Sequence, residues 1–99
     1  MSVPSVLVTG VGAIIGQGII KSLRMEERPV RIVGLDLNPN AYASHLCDSF
    51  YIKPSSEEGA EYLEFLSELI YKEGVNLILP GIEHDIFFFD SQRKFFERL

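Results

Sequence analysis

Short apolar runs alternate along this chain with stretches of helical period. Ser5-Val6-Leu7-Val8-Thr9 is apolar and β-branched and stops at Gly10, the pattern of a strand buried on both faces of a parallel sheet. From about Ile14 to Met25 the period lengthens, with Ile15, Ile19 and Leu23 recurring every fourth residue. That spacing predicts a helix with those three side chains on its buried face. Pro29 forbids continuation, and Val30-Arg31-Ile32-Val33-Gly34-Leu35 reads as a second strand. Asp36 to Asn40 follows as a turn, because Asp and the Asn38-Pro39 pair favour turn initiation. Asp48 to Ile52 is a short third strand closed by Pro54.

Ser55 or Ser56 is placed to cap the next helix, with Glu57 and Glu58 in its first turn, where the helix dipole favours anions. Tyr62, Leu63, Leu66, Leu69 and Ile70 line one face of that helix, which runs to about Glu73, and Gly74 is the expected residue just past its end. Val75 to Leu79 is a fourth strand, stopped by Pro80-Gly81, and a last helix is expected from about His84 to Leu99. Strands separated by helical crossovers build an open parallel sheet. The fold class predicted is α/β: a Rossmann-like parallel sheet of strand order 3-2-1-4 in three layers, α/β/α.

Composition narrows the function classes. Ninety-nine residues suit one domain. The chain is 46% hydrophobic and 23% charged, the balance of a soluble globular protein. A formal net charge of −5 argues against a general affinity for nucleic-acid phosphates. Cys47 is the only cysteine, so no intrachain disulfide supports secretion. The N-terminus carries no signal-peptide pattern, and no run approaches the ~20 apolar residues that cross a bilayer. A cytoplasmic location is expected, with neither membrane nor nucleic acid as a partner.

The candidate chemistry begins at Gly10-Val11-Gly12-Ala13-Ile14-Ile15-Gly16, where a Rossmann fold places its phosphate loop. Glycines there allow positive φ and let an anion approach the N–H groups at a helix N-terminus. Asp36 stands at the end of the second strand, the position of the acid that binds a ribose hydroxyl in dinucleotide folds. The spacing is G-x-G-x-x-x-G, one residue longer than the dinucleotide fingerprint. The same glycines would equally serve a tight strand-to-helix turn with no ligand. Thr9-Gly10 hints at a short-chain dehydrogenase, but the chain has no Tyr-x-x-x-Lys pair.

Glu83-His84-Asp85 follows the fourth strand at the sheet edge where ligands of open α/β folds bind. These residues would contact substrate or, in the simpler reading, Glu83 or Asp85 caps the last helix. Adjacent residues cannot wrap a tetrahedral zinc by themselves. His45 and Cys47 suggest a nucleophile pair, yet neither an oriented base nor an oxyanion site accompanies them, and Cys47 reads as a packing residue.

The ordered motifs resemble a known family. Val6-Leu7-Val8-Thr9-Gly10-x-Gly12 is similar to the opening of pre-ATP-grasp domains, which precede the ATP-grasp module in carbamoyl-phosphate-synthase-like ligases. Ile15-Gly16-Gln17 resembles the Ile-Gly-Gln of the carbamoyl phosphate synthase large subunit, with a loop one residue shorter and without its proline. The similarity continues through Gly34-Leu35-Asp36-x-Asn38-Pro39 and Cys47-Asp48-Ser49-Phe50-Tyr51-Ile52-x-Pro54. It ends in Asn76-Leu77-Ile78-Leu79-Pro80-Gly81-Ile82-Glu83-His84-Asp85, where Gly81 replaces the more usual Thr or Ser.

The resemblance implies a non-catalytic scaffold that supplies one wall of a substrate cleft. ATP and Mg2+ would be held by a following ATP-grasp module of the same chain, and a small-molecule substrate would be met only in the longer protein. Family members continue into a further parallel strand after the last helix, so the chain is expected to be a piece of a longer ligase, with the edge of the fourth strand open to pairing. Candidates for substrate or anion contact are Gly10, Gly12, Gly16, Gln17, Asp36, Pro80, Glu83 and Asp85. In the last helix Phe88, Phe95 and Leu99 are expected to face the sheet. Phe87, Phe89 and Phe96 are the candidates for an interface, with the following module or a second copy in a homodimer. No residue is nominated as catalytic or as a metal ligand. The alternative function is an NAD(P)-binding domain of an oxidoreductase or epimerase, resting on Gly10, Gly12, Gly16 and Asp36.

Overall fold

The computed structural model describes residues 3–54 and 59–98. The expected helix cap at Ser55 or Ser56, with Glu57 and Glu58, lies outside them, as does Leu99. The elements are β1 (Ser5–Thr9), α1 (Ile14–Arg24), β2 (Arg31–Asp36), β3 (Ser49–Ile52), α2 (Gly59–Glu73), β4 (Leu77–Pro80), α3 (Glu83–Ser91) and α4 (Arg93–Glu97), with a 3-10 turn at Ser44–Leu46. All strand pairings are parallel and the sheet order is β3-β2-β1-β4, as the alternation of strands and helices predicts.

β1 is buried at every residue, because it is central and both of its faces are covered. Val6 and Val8 turn to one face, with Ile20 of α1 and Ala41 and Ala43 of the segment before β3. Leu7 turns to the other, with Tyr62, Leu66 and Leu69 of α2 and with Phe88, Phe89 and Phe96. Three layers result. Asn76 extends the β1–β4 pairing by one rung, its Oδ1 accepting from Ser5 N–H at 2.9 Å and its own N–H donating to Ser5 O at 2.8 Å.

Two helices depart from the expected faces. In α1 the buried residues are Gly16 and Ile20, whereas Ile15 is 53% exposed and Ile19 and Leu23 are only partly covered. The helix is rotated to press Gly16 onto the backbone of Gly10 and Gly81, and Ile20, one turn on, follows it inward. The expected single C-terminal helix is two. At Gln92 (φ −109°, ψ 21°) one N–H is shared between Phe88 O and Phe89 O, and the Ser91 hydroxyl also donates to Phe88 O. Side-chain competition of this kind interrupts a helix. The break folds Phe96 back to 4.9 Å from Phe89, ring centre to ring centre. Phe88, Phe89 and Phe96 therefore face the sheet, and Phe95 does not, being 39% exposed. Of the three interface candidates Phe87 is open at 66% exposure, while Phe89 and Phe96 pack partly against the core.

The end of α2 follows the sequence closely. Gly74 has φ +64° and Val75 N–H returns to Ile70 O at 3.0 Å, the left-handed termination that glycine favours.

Candidate functional site

The C-terminal ends of β1, β2 and β4 meet at the glycine turn, and Lys53 follows β3 at the same edge. Gly10 sits at φ +65°, where a side chain is strained, and a Cβ there would lie 2.9 Å from Ile82 Cβ. Gly16 and Gly81 touch across the start of α1: a Cβ on Gly81 would lie 2.5 Å from Gly16 Cα and 2.9 Å from its nitrogen. Gly81 N–H donates to Thr9 O at 3.0 Å. Glycine at 81, where the resembling family carries Thr or Ser, thus has a steric cause in this chain.

The turn uses its own donors. Gly10 and Val11 N–H both donate to Leu35 O, Ala13 N–H donates to Gly10 O, and Gly12 N–H donates to Asp36 Oδ2 at 2.8 Å. Asp36 Oδ1 accepts from Asn38 N–H at 2.8 Å, and Gln17 Nε2 donates to Gly12 O at 2.8 Å. Gly12, Gln17 and Asp36 are therefore brought together, as a brace that holds the turn to β2. Each oxygen of the acid expected to meet a ribose already accepts a backbone N–H.

Asp85 is the other buried acid, 1% exposed. The capping reading fails: the N-cap of α3 is Ile82, with no side-chain cap hydrogen bond, and Glu83 and Asp85 lie within the first turn. Asp85 Oδ1 instead accepts from Lys53 Nζ at 3.1 Å and from Tyr62 Oη at 3.0 Å. The Lys53 ammonium also lies 4.6 Å from the centre of the Tyr62 ring. Burial, and then the Asp85 charge, drive the Tyr62 hydroxyl far above the ordinary tyrosine range, so it remains a donor to the carboxylate. The first turn of α3 adds its dipole to the stabilisation of that negative charge. His84 is 74% exposed, 3.8 Å from Asp85, and Glu83 is exposed.

Gly10, Asp36, Leu37, Lys53, Ile82 and Asp85 line a cleft of about 50 Å³. It unites three of the candidates, Gly10, Asp36 and Asp85, and adds Lys53, which sequence reasoning missed. The signal was present: Lys53 is the first residue past β3, at the strand ends where open α/β folds bind ligands. Pro80 pairs with Thr9 at the end of β4, and Glu83 stands outside the cleft. Two carboxylates and one ammonium give the cleft a net negative charge, and its two apolar lining residues, Leu37 and Ile82, are exposed.

Cys47 and His45 are not an oriented pair. The Cys47 thiol donates to Ala43 O at 3.6 Å, and its sulfur sits against Gly34, where no Cβ would fit. The His45 ring instead lies edge-on to Tyr42. Burial raises the Cys47 thiol to about 11, so it is not a thiolate at neutral pH. Among the described residues no group of three or more His, Cys, Asp or Glu stands ready to hold a metal ion, and no helix is long and apolar enough to cross a membrane.

Comparison with known proteins fits this geometry. The chain is similar in fold to dTDP-glucose 4,6-dehydratase from Bacillus anthracis, solved in complex with NAD, at TM-score 0.57 and 18% identity over 90% of this chain. It is likewise similar to an NADPH-bound carbonyl reductase from chicken fatty liver, at TM-score 0.50 and 24% identity over 79% of this chain. The match spans only 30% and 36% of those proteins, and at such identities it shows the Rossmann-like fold alone. A search of curated protein sequences gives no match. The sequence model of the PylC-like N-terminal domain matches residues 6–99, which takes in β1 from Val6 onward, the glycine turn and the Lys53–Asp85 pair. The chain therefore belongs to the PylC-like N-terminal domain family, a pre-ATP-grasp domain of Rossmann-like fold.

Proposed function

We propose that this domain is the substrate wall of a carbamoyl-phosphate-synthase-like ATP-grasp ligase, without catalysis of its own. In such a ligase a carboxylate attacks the γ-phosphorus of ATP, ADP leaves, and a nucleophile then displaces phosphate from the acyl phosphate. ATP and Mg2+ belong to a following module in this reading. The cleft described above, at about 50 Å³, does not fit a nucleotide, so no step is assigned to ATP here. The domain would contribute a braced rim of fixed charge, Lys53–Asp85 beside the glycine turn, against which an acceptor substrate is oriented. The single cysteine is in keeping with a cytoplasmic setting.

The observation that carries this reading is the state of the turn. Gly10 to Ala13 donate within the chain and both Asp36 oxygens accept backbone N–H groups, which supports a scaffold over a dinucleotide site. The NAD(P) reading keeps one point in its favour: the turn still ends at the N-terminus of α1, a favourable place for a phosphate. A thermal-shift and calorimetric titration of the chain against magnesium-ATP, NADH and NADPH separates the two, since a ligand of the folded state raises its melting point. No shift is expected with any of them. Tight magnesium-ATP binding by this chain would overturn the substrate-wall reading. An NADH or NADPH shift abolished by Asp36→Ala would establish the alternative.

A further inference from the structure

Lys21, Lys72 and Lys94 are exposed, and Lys53 alone among the lysines is not. Its side chain is 15% exposed and lines the cleft beside the glycine turn. A charge that orients a substrate must not react with it, and a lysine is also a nucleophile. To be acylated, Nζ would first release a proton and then attack the carbonyl carbon of an acyl phosphate. A nitrogen–carbon bond forms, the carbon–oxygen bond to phosphate breaks, and phosphate departs with the electron pair and the amine's second proton. The activated substrate is lost, and Lys53 becomes a neutral amide.

We propose that Asp85, supported by Tyr62, shields Lys53 from acylation by the acyl phosphate formed against this wall. The purpose of the shield rests on the substrate-wall reading; its chemistry rests on the pair alone. An ammonium has no lone pair, and this one donates to Asp85 Oδ1 at 3.1 Å. The Tyr62 ring, 4.6 Å from Nζ, covers one side of it and attracts it as a cation. Tyr62 Oη donates to the same carboxylate oxygen at 3.0 Å, which favours the charged carboxylate that Lys53 needs as its partner. The product is opposed as well. An amide at Lys53 would leave Asp85, 1% exposed, as a buried charge without its counter-charge, the costly half of a broken ion pair. The net negative charge of the cleft repels the phosphate group of the reagent in addition.

Acetyl phosphate, the simplest acyl phosphate of a carboxylic acid with a carbon chain, is the probe. The chain is incubated with it at mildly alkaline pH, and acetylation is read lysine by lysine by peptide mass spectrometry. Lys53 is expected to react at least tenfold more slowly than Lys21, Lys72 or Lys94. Asp85→Asn keeps an acceptor for Tyr62 but removes the charge. It should speed acetylation of Lys53 at least tenfold, while the other three lysines keep their rates. Slow labelling of the Cys47 thiol, packed against Gly34, reports that the variant is folded; if it is not, sucrose restores the folded state for the comparison. Lys53 as reactive as the exposed lysines in the parent chain would overturn the proposal. So would Lys53 still slow in folded Asp85→Asn, since burial alone would then protect it. Neither outcome touches the substrate-wall reading, which falls instead to tight magnesium-ATP binding or to an NADH or NADPH shift.

Discussion

Two glycines in α1, two residues apart, should respond to the same substitution with opposite signs. Gly18 is exposed within the helix and a Cβ built there meets nothing within 4 Å. Alanine at that position removes backbone entropy from the unfolded chain and suits the helix, a gain of about 0.8–1 kcal/mol. Gly16 offers at most the same gain. Its Cβ, however, would collide with the carbonyl oxygen of Gly10 and stand 2.7 Å from the carbonyl carbon. That neighbour is backbone, braced by Gly12, Gln17 and Asp36, and cannot rotate away. Overpacking costs about 1–3 kcal/mol and more where nothing yields, so Gly16→Ala should lose stability by about 1–2 kcal/mol net. In a domain of this size 1 kcal/mol moves Tm by roughly 4–8 °C. Thermal and urea denaturation should therefore show Gly18→Ala melting higher than the parent and Gly16→Ala lower, with similar m-values. A Gly16→Ala protein as stable as Gly18→Ala would refute the close approach of α1 to the turn.

The buried ion pair gives a second test. Asp85→Ala strands the Lys53 ammonium and should cost about 3–5 kcal/mol in urea denaturation, while the double variant Lys53→Met/Asp85→Leu should recover only part of the loss, because the Tyr62 hydroxyl still lacks its acceptor; no recovery would mean that Asp85 acts through something other than its pairing with Lys53. Stability should also depend on pH through Tyr51, Glu73 and Arg31. The hydrogen bond from Tyr51, and then Arg31 at 2.6 Å, hold Glu73 below the ordinary glutamate value of 4.5. That contribution is present above 4.5 and lost as pH falls through the lower folded value. Tyr51 is raised chiefly by the same bond, so its share is present below pH 10 and lost as pH rises beyond. Glu73→Gln should flatten both limbs of a melting-temperature profile, and an unchanged acid limb would dismiss the pair. Finally, with its thiol at about 11, Cys47 should label with a disulfide reagent at pH 8 at least tenfold more slowly in the folded chain than in urea; equal rates would show the site to be open.

Periodicity and punctuation determined most of the architecture. Apolar runs that end at Gly10 and Pro80, and helices bounded by Pro29 and Gly74, are consequences of local sterics and of which faces must leave water. The strand order follows from how such units connect, and needs no side-chain detail. The glycine turn, Asp36 and Asp85 were legible as candidates because they fall at strand ends. Their roles were not. Whether Asp36 is free for a ribose depends on Gly12 N–H, twenty-four residues away in sequence. Asp85 reads as a cap until Lys53, just past β3, and Tyr62 of α2 arrive on its carboxylate. Spacing alone put Ile15 inside and Phe89 outside. Tertiary packing reversed both: the approach of Gly16 to Gly10 and Gly81 sets the rotation of α1, and the break at Gln92 sets which aromatic faces the sheet returns to cover. Sequence patterns record which residues must leave water, a property of each segment. Which group meets which is decided only when separate segments compete for the same space and the same hydrogen bonds.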